Sequence, residues 1–358
     1  MRLALVGLVA LALVACGKSG TAPASPANAP PPAGASAPQA PAAPTGAPTA
    51  PPIEHVRVAY ATPSGGFAGP WMAKEAGLFE KYGLDAEVTY IASGPTMIQS
   101  LLAGEIRFGE LAAPSSMSAY VQGGDVVWIA SAVNRPVLFV LARPEISRLE
   151  DLRGKPVGVT RLGTLTDTFM RLALRRAGLE PDQDVPVLQS GGVPETVGAI
   201  VSGRISAGAF GPPNQLEAQK AGMHILVDLG DLGIPWPFGG TVSTKSYIGS
   251  NADTVGKYLK AYVEAVHLLR TDRERGTSVI AKYTNLDDRA VAEQTWEIFS
   301  KRYDLPPYPT REGMEAVIQY ALADTDPKAK DIPPQEFYDD RLLRELDQSG
   351  FVKQATGQ

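Results

Sequence analysis

Hydrophobic positions after residue 53 alternate between short apolar runs and amphipathic segments. "VRVAY" alternates apolar and polar side chains, which predicts a strand. The segment "PWMAKEAGLF" follows a glycine-containing turn, and its proline and glycine suit the two ends of a helix. The same unit recurs around "LDAEVTYIA" and "IRFGEL" before a further strand, "VVWIASAV". This alternation predicts βα units and a largely parallel sheet covered on both faces.

The pattern changes at "RPVLFVLA", an apolar segment with no helix before it, which predicts a crossing into a second lobe. The alternation resumes with "PVGVT" and the helical "TLTDTFMRLALRRAG", and "FGGTVSTKSY" is predicted to return the chain. We expect an α/β fold of two lobes, each a mixed, mainly parallel sheet flanked by helices, joined by two hinge crossings. Lobe 1 is predicted to comprise residues 53–135 and 240–358, with helices towards the C-terminus, and lobe 2 residues 136–239.

The N-terminal segment has the composition of an export signal. Met1 and Arg2 precede an apolar run of about a dozen residues, too short to span a bilayer. The run ends in "LVAC", which resembles the lipobox of bacterial lipoproteins, and Cys16 is the only cysteine. We expect residues 1–15 to be a lipoprotein signal peptide and Cys16 to carry the lipid; an ordinary signal peptide is the alternative. Residues 16–52, rich in alanine and proline, are expected to be a disordered tether.

Composition and motifs argue against several classes of function. The chain has 358 residues and a formal net charge of -5, with no basic block, so we expect no nucleic-acid partner. The three histidines, His55, His224 and His267, do not follow metal-ligand spacing. Neither a P-loop nor a G-x-S-x-G motif is present. We therefore expect no catalytic residues, no metal and no cofactor.

The candidate ligand contacts lie in loops that follow the predicted strands. Ligands of open α/β sheets bind outside the carboxyl ends of the strands, where glycines allow close approach and helix N-termini offer free N–H groups. The candidates are Ser64, Gly65, Gly66, Phe67, Ser93, Gly94, Ser115 and Ser116 in lobe 1, Thr164, Leu165, Thr166 and Gly211 in lobe 2, and Trp236 and Phe238 near the return crossing. The serines can instead cap their own helices, and the aromatic residues can instead pack the core or hinge.

The loop before "TLTDTFM" is the most informative of these. Thr164 and Asp167 match a capping box, in which side chains bond the first N–H groups of the helix. Asp167 also complements the helix dipole, which disfavours a strong anion there unless Arg161 offsets it. Aromatic residues near the return crossing slightly favour a flat organic ligand. The sequence is compatible with either an anionic or a neutral ligand. Trp71, in contrast to the candidate contacts, is expected to pack in the core.

Three stretches carry a family resemblance: "WMAKEAGLFEKYGLDAEVTYIASG", "SLLAGEIRFGEL" and "LEDLRGKPVGV". They resemble the substrate-binding proteins of ABC importers, in the SsuA/THI5-like or NMT1-like group for nitrate, sulfonates, taurine and thiamine precursors. The resemblance implies the type II periplasmic-binding-protein fold, a ligand cleft between the lobes, and ABC permease and ATPase subunits as partners. We expect a monomer outside the cytoplasm, anchored to the membrane, that binds a sulfonate-like or pyrimidine-like small molecule.

Two other functions are compatible with the sequence. The first is an exported enzyme on the same fold that acts on a heterocycle; related pyrimidine synthases carry a cysteine-rich motif, which the body of this chain lacks. The second is a sensory domain that presents its ligand to a receptor rather than to a permease.

Overall fold

Two five-stranded sheets flanked by helices form the part of the chain that the computed structural model describes, residues 53–323 and 325–357. The predicted signal peptide, Cys16 and the tether lie outside the described residues. The strands are β1 (Glu54–Tyr60), β2 (Leu84–Tyr90), β3 (Phe108–Leu111), β4 (Val126–Val133), β5 (Phe139–Ala142), β6 (Val157–Val159), β7 (Val187–Gln189), β8 (Ala207–Phe210), β9 (His224–Asp228) and β10 (Gly239–Thr244).

The helices lie between the strands and after β10. The α-helices are α1 (Gly69–Glu75), α2 (Leu78–Lys81), α3 (Gly94–Leu102), α4 (Ala113–Val121), α5 (Leu165–Arg176), α6 (Val193–Val201), α7 (Asn214–Lys220), α8 (Lys245–Ser250), α9 (Ala252–Thr271), α10 (Arg273–Thr284), α11 (Arg289–Ser300), α12 (Arg311–Val317), α13 (Arg341–Gln348) and α14 (Phe351–Thr356). A π-helix follows at Ile318–Leu322, and 3-10 turns lie at Gly65–Phe67, Leu149–Leu152, Leu229–Leu232, Pro327–Asp331 and Pro334–Phe337.

The two sheets have the same strand arrangement. The order is β2-β1-β3-β10-β4 in the first sheet and β7-β6-β8-β5-β9 in the second. The strand that arrives from the other sheet, β10 or β5, is inserted next to the last position and pairs antiparallel with both neighbours. The expectation of a two-lobed α/β fold with mixed sheets is confirmed. We call the first sheet with its helices lobe 1 and the second lobe 2.

Two segments connect the lobes, and they pair with each other. The first joins β4 to β5, and the second joins β9 to β10. The backbone N–H groups of Trp236 and Phe238 donate to the carbonyl oxygens of Asn134 and Val133, at 3.0 and 2.8 Å. The expectation that "FGGTVSTKSY" forms the return crossing is wrong, because most of that stretch is β10 and α8. Its apolar residues pair with β3 and β4, so the crossing itself lies before Gly239.

Lobe 1 contains a buried carboxyl group between its sheet and the long helix α9. Glu110 on β3 is fully buried and accepts hydrogen bonds from the Thr241 hydroxyl, at 2.7 Å, and from the Tyr262 hydroxyl, at 2.9 Å. The Tyr258 hydroxyl lies 2.9 Å from the same Thr241 oxygen. Burial raises the pKa of Glu110 to about 8, although both hydrogen bonds favour the ionised form. The side chain is therefore mainly neutral when folded at pH 7.

The stability of the protein should fall with rising pH because of Glu110. The pKa is above its ordinary value of 4.5 in the folded state, so the folded protein holds one more proton than the unfolded chain between about pH 4.5 and 8. The free energy of unfolding should decrease across this window by up to about 1.4 kcal/mol per pH unit from this group. Urea denaturation between pH 5 and 8 should show a flatter dependence for Glu110→Gln, whereas Glu105→Gln, at an exposed position, should keep the original slope. Identical slopes for all three proteins would contradict this assignment.

Candidate functional site

The loops at the facing ends of the two sheets contact each other. Ser64, in the loop after β1, donates a buried 2.9 Å hydrogen bond from its hydroxyl to the carbonyl oxygen of Pro212, in the loop after β8. A second contact between the lobes is the 2.6 Å ion pair of Lys220 on α7 with Asp288 before α11, both about half exposed. The lobes are therefore in direct contact, and the space between their strand-end loops is the candidate ligand cleft.

The first predicted loop, Gly65 to Phe67, forms a packed wall. The Phe67 ring stacks on Phe238 with ring centroids 5.8 Å apart, and both side chains are buried. A Cβ atom on Gly66 would overlap the Phe238 ring, so only glycine fits there. The Gly65 carbonyl oxygen accepts a hydrogen bond from the hydroxyl of Tyr303 in the C-terminal region. These residues shape the wall by close packing.

The second and third predicted loops come together at the ends of β2 and β3. Ser93 has a positive φ of 74°, and its hydroxyl lies 3.1 Å from that of Thr96 rather than capping a backbone N–H. Gly94 lies against the Ser115 side chain, and Ser93, Gly94 and Ser115 are all partly exposed.

Ser116 differs from its neighbour because it points into lobe 1. It is buried, its hydroxyl donates to the Ala113 carbonyl oxygen, and it accepts a hydrogen bond from Trp128 Nε1, both at 2.9 Å. Its polar atoms are thus satisfied within the lobe.

The Thr164 loop in lobe 2 does not form the predicted capping box. The Thr164 hydroxyl donates to the Arg161 carbonyl oxygen at 2.7 Å and makes no bond to a helix N–H. Asp167 accepts instead from the N–H of Gly163 at 2.8 Å and from Arg171 Nε at 2.7 Å. In a capping box, Asp167 would accept from the N–H of Thr164. Here the backbone at Gly163 is left-handed, with φ of 73°, and the carboxylate accepts from the N–H one residue earlier.

The remaining residues of this loop are also partly engaged. The Thr166 hydroxyl accepts a hydrogen bond from the Thr160 N–H at 3.0 Å and lies 2.8 Å from the Thr160 hydroxyl. Thr166 is almost buried, whereas Thr164 and Leu165, at the start of α5, are partly exposed.

The last predicted contacts lie where the two crossings meet lobe 2. A Cβ atom on Gly211 would lie 3.0 Å from the Val137 carbonyl oxygen of the first crossing. The Trp236 ring packs edge-on against Phe169 of α5, with ring centroids 4.7 Å apart. Trp236 is fully buried, and its Nε1 has no hydrogen-bond partner among the described residues. Trp71 is also fully buried, which confirms its expected place in the core.

Two residues at the cleft were not predicted from the sequence, Tyr90 and Glu195. Tyr90 ends β2 beside Tyr60, with ring centroids 5.4 Å apart. Glu195 lies in the first turn of α6. A repeated spacing could have revealed it: Gly163 and Gly191, both with positive φ, each precede an acidic residue by four positions, Asp167 and Glu195.

Neither a metal-binding cluster nor a membrane-spanning helix occurs in the part of the chain that the structure describes. No group of three or more histidine, cysteine, aspartate or glutamate side chains is arranged there to hold a metal ion. No helix among the described residues combines the length and apolar character needed to cross a membrane.

Comparison with known proteins identifies the family. Residues 65–274, more than half of the chain, match the family model described as "NMT1/THI5 like". The chain belongs to this family. A Brucella abortus protein named "Putative binding protein" is 29% identical over 236 residues, covering 65% of this chain and 72% of that protein.

Solved structures with the same fold include binding proteins of the bacterial periplasm. The Escherichia coli aliphatic sulphonate binding protein SsuA superposes with a TM-score of 0.63 at 22% identity, covering 81% of this chain and 91% of SsuA. The nitrate-binding protein NrtA from Synechocystis superposes with a TM-score of 0.69 at 18% identity, covering 84% of this chain and 90% of NrtA. At these identities the likeness establishes the fold.

The hydrogen bond between Ser64 and Pro212 should favour the closed arrangement of the lobes. Ser64→Ala removes the donor and leaves a buried carbonyl oxygen unsatisfied when the lobes meet, so the closed state should lose about 1 kcal/mol. Small-angle scattering without added ligand should give a larger radius of gyration for this variant. Ser278→Ala, which removes a serine hydroxyl bonded only within α10, should leave the radius unchanged. An equal radius for the wild-type protein and Ser64→Ala would show that this contact does not influence closure.

Proposed function

We propose that this protein is the extracytoplasmic solute-binding component of an ABC importer, and that it captures a small organic molecule between its lobes. The observation that carries this proposal is the meeting of the strand-end loops of two separate sheets, through Ser64 and Pro212, on lobes joined by paired crossings. Ligands bind at the carboxyl ends of strands in open α/β sheets, and two such ends face each other here. Family membership and the periplasmic binding proteins of the same fold support it.

The predicted contact residues divide into two proposed roles. The partly exposed group is proposed to touch the ligand through hydroxyl and backbone groups: Ser93, Gly94, Ser115, Thr164, Leu165 and Gly211. The buried group is proposed to shape the cleft, with any ligand contact made when the lobes open: Ser64, Gly65, Gly66, Phe67, Ser116, Thr166, Trp236 and Phe238.

The membrane and transporter partners are also part of the proposal. The lipobox-like "LVAC" supports lipid attachment at Cys16, and the alanine- and proline-rich residues 16–52 would then connect the anchor to the binding lobes. The closed protein is proposed to deliver its ligand to the permease and ATPase subunits of the importer. Because Cys16 is the only cysteine, the described lobes offer no thiol nucleophile, which favours binding over thiol-based catalysis.

Ligand binding should change the fluorescence of Trp236, because this residue belongs to the second crossing and its ring packs against Phe169 on α5 of lobe 2. A panel of alkanesulfonates, aminosulfonates and pyrimidines should contain compounds that shift the emission and reduce the radius of gyration. Trp236→Phe should lose most of the emission change but retain the compaction. Trp296→Phe, where the indole N–H donates to the Leu269 carbonyl oxygen and the ring packs against Gly276 of α10, should keep both responses. Mass spectrometry of molecules that copurify extends the panel, and the proposal fails if no small molecule binds or copurifies.

A further inference from the structure

The side chain of Asn134, in the first crossing, is bound on several sides by lobe 1. It lies beside residues 304–308, a segment that forms backbone hydrogen bonds with the end of β4. Asn134 Nδ2 lies 3.1 Å from the carbonyl oxygens of Ser131 and Tyr308, and it donates to Asp304 Oδ2 at 3.1 Å as well. Its Oδ1 atom accepts a hydrogen bond from the Ser131 hydroxyl at 2.7 Å. We call Asn134 and residues 304–308 the clasp.

The backbone of Asn134 extends this attachment to the second crossing. Its carbonyl oxygen accepts the 3.0 Å hydrogen bond from the Trp236 N–H. The following residue, Pro237, is also held by lobe 1, because its carbonyl oxygen accepts from the Ala113 N–H at 3.2 Å. The Pro237 ring lies against Gly313 of α12, where an added Cβ atom would come within 3.1 Å of it. The second crossing is therefore fixed to lobe 1 from Trp236 onwards.

The other ends of the two crossings are fixed to lobe 2. In the first crossing, the Pro136 carbonyl oxygen lies against Gly230, where an added Cβ atom would be 3.1 Å from it. In the second crossing, the 3-10 turn Leu229–Leu232 is attached to the strand that enters lobe 2, because its first N–H donates to the Leu138 carbonyl oxygen at 2.9 Å. Each crossing thus changes from one lobe to the other within a few residues.

The residues between these attachments are Arg135 in the first crossing and residues 233–235 in the second. Pro136 follows Arg135, and Pro235 ends the second set. A proline ring fixes its own φ and restricts the residue before it, so few backbone angles can change at either place. Any rotation of the lobes that preserves the contacts of Asn134 must use these few angles.

We propose that Asn134 is the anchor of the hinge between the lobes, and that the clasp confines their rotation to Arg135 and residues 233–235. Without the Asn134 amide, both crossings lose their shared attachment to lobe 1, and bending spreads into segments that the clasp now fixes. Asn134 is therefore a positioning residue, which acts through the crossings. The inference goes beyond the proposed function, because it concerns the motion of the lobes and is tested without a ligand.

Spin labels on the two lobes measure the hinge angle directly. The full chain carries Cys16→Ser, which removes the only native thiol, together with Glu105→Cys on lobe 1 and Glu150→Cys on lobe 2. Both glutamates are exposed and precede strands β3 and β6, at the ends of the sheets away from the cleft. Double electron–electron resonance then records the distribution of distances between the labels, which widens when the lobes sample more angles.

Removal of the Asn134 amide should broaden this distribution. In Asn134→Ala, the population outside the wild-type range of distances should rise about fivefold, the change expected from the net loss of about one hydrogen bond. Asp304→Ala removes one acceptor from the other side of the clasp and should give a smaller broadening. Asn251→Ala is the matched control, because that amide donates to the Tyr247 carbonyl oxygen within lobe 1, and its distribution should equal that of the wild-type protein.

A second pair of variants tests where the rotation occurs. Pro136→Gly frees the backbone beside Arg135 and keeps the clasp, so it should also broaden the distribution. Pro144→Gly, at an exposed proline within lobe 2, should not. All distributions are recorded well below the melting temperature of each variant. An unchanged distribution in folded Asn134→Ala, or equal broadening in Asn251→Ala, would overturn the anchor; if Asn134→Ala does not fold, an unchanged distribution in Asp304→Ala would do so.

Discussion

The backbone pairing of the two crossings is the constraint on which the rest of the structure depends. Trp236 and Phe238 donate their N–H groups to Asn134 and Val133, so the crossings form one narrow paired strip rather than two independent linkers. Rotation about such a strip can separate the lobes without altering either sheet, as in other hinge motions. The sheet topology accords with the same connection, because β5 and β10 enter their sheets directly from the crossings and lie antiparallel to their neighbours.

The chemistry available at the cleft is limited by hydrogen bonds that the protein makes to itself. At the start of α5, the Gly163 amide is occupied by Asp167, and the Thr164 and Thr166 hydroxyls bond within their own loop. A helix N-terminus that would otherwise attract an anion is thus partly satisfied before any ligand arrives. At the start of α6, Glu195 occupies a similar place, and within the described part of the chain no lysine or arginine forms an ion pair with it. The starts of α5 and α6 therefore differ in charge, although the number of residues between the glycine and the acid is the same in both.

Short-range patterns predicted the fold well, and they failed where the partner is distant in the chain. Short apolar runs predicted β1, β2, β3, β4 and β6, and "TLTDTFM" predicted the start of α5, whereas the predicted crossing "RPVLFVLA" contains β5. The end of the return crossing was misplaced because the pairing of β10 with β3 and β4 depends on residues more than 100 positions away. In "IRFGEL", nothing local indicates that Glu110 is buried; its environment comes from Thr241 and Tyr262.

The candidate site was predictable at the level of loops but not of individual side chains. Ser115 and Ser116 are adjacent in the sequence, yet Ser116 is directed inward because Trp128, on β4, needs an acceptor for its indole N–H. The capping box failed for a comparable reason: Arg171, one turn further along α5, competes for the Asp167 carboxylate, and the left-handed Gly163 offers the nearer N–H. Both outcomes depend on which of several possible partners is closest in three dimensions, which spacing alone does not determine.

Contacts between the lobes also bear on how tightly a ligand can be held. A buried neutral hydrogen bond contributes about 1 kcal/mol, and an exposed ion pair such as Lys220–Asp288 contributes less. Contacts of this size raise the population of the closed state before binding, and the apparent dissociation constant varies inversely with that population. Their sum remains small beside that of several ligand contacts made only in the closed state. The ligand's differential contacts with the two lobes therefore still determine when the cleft closes.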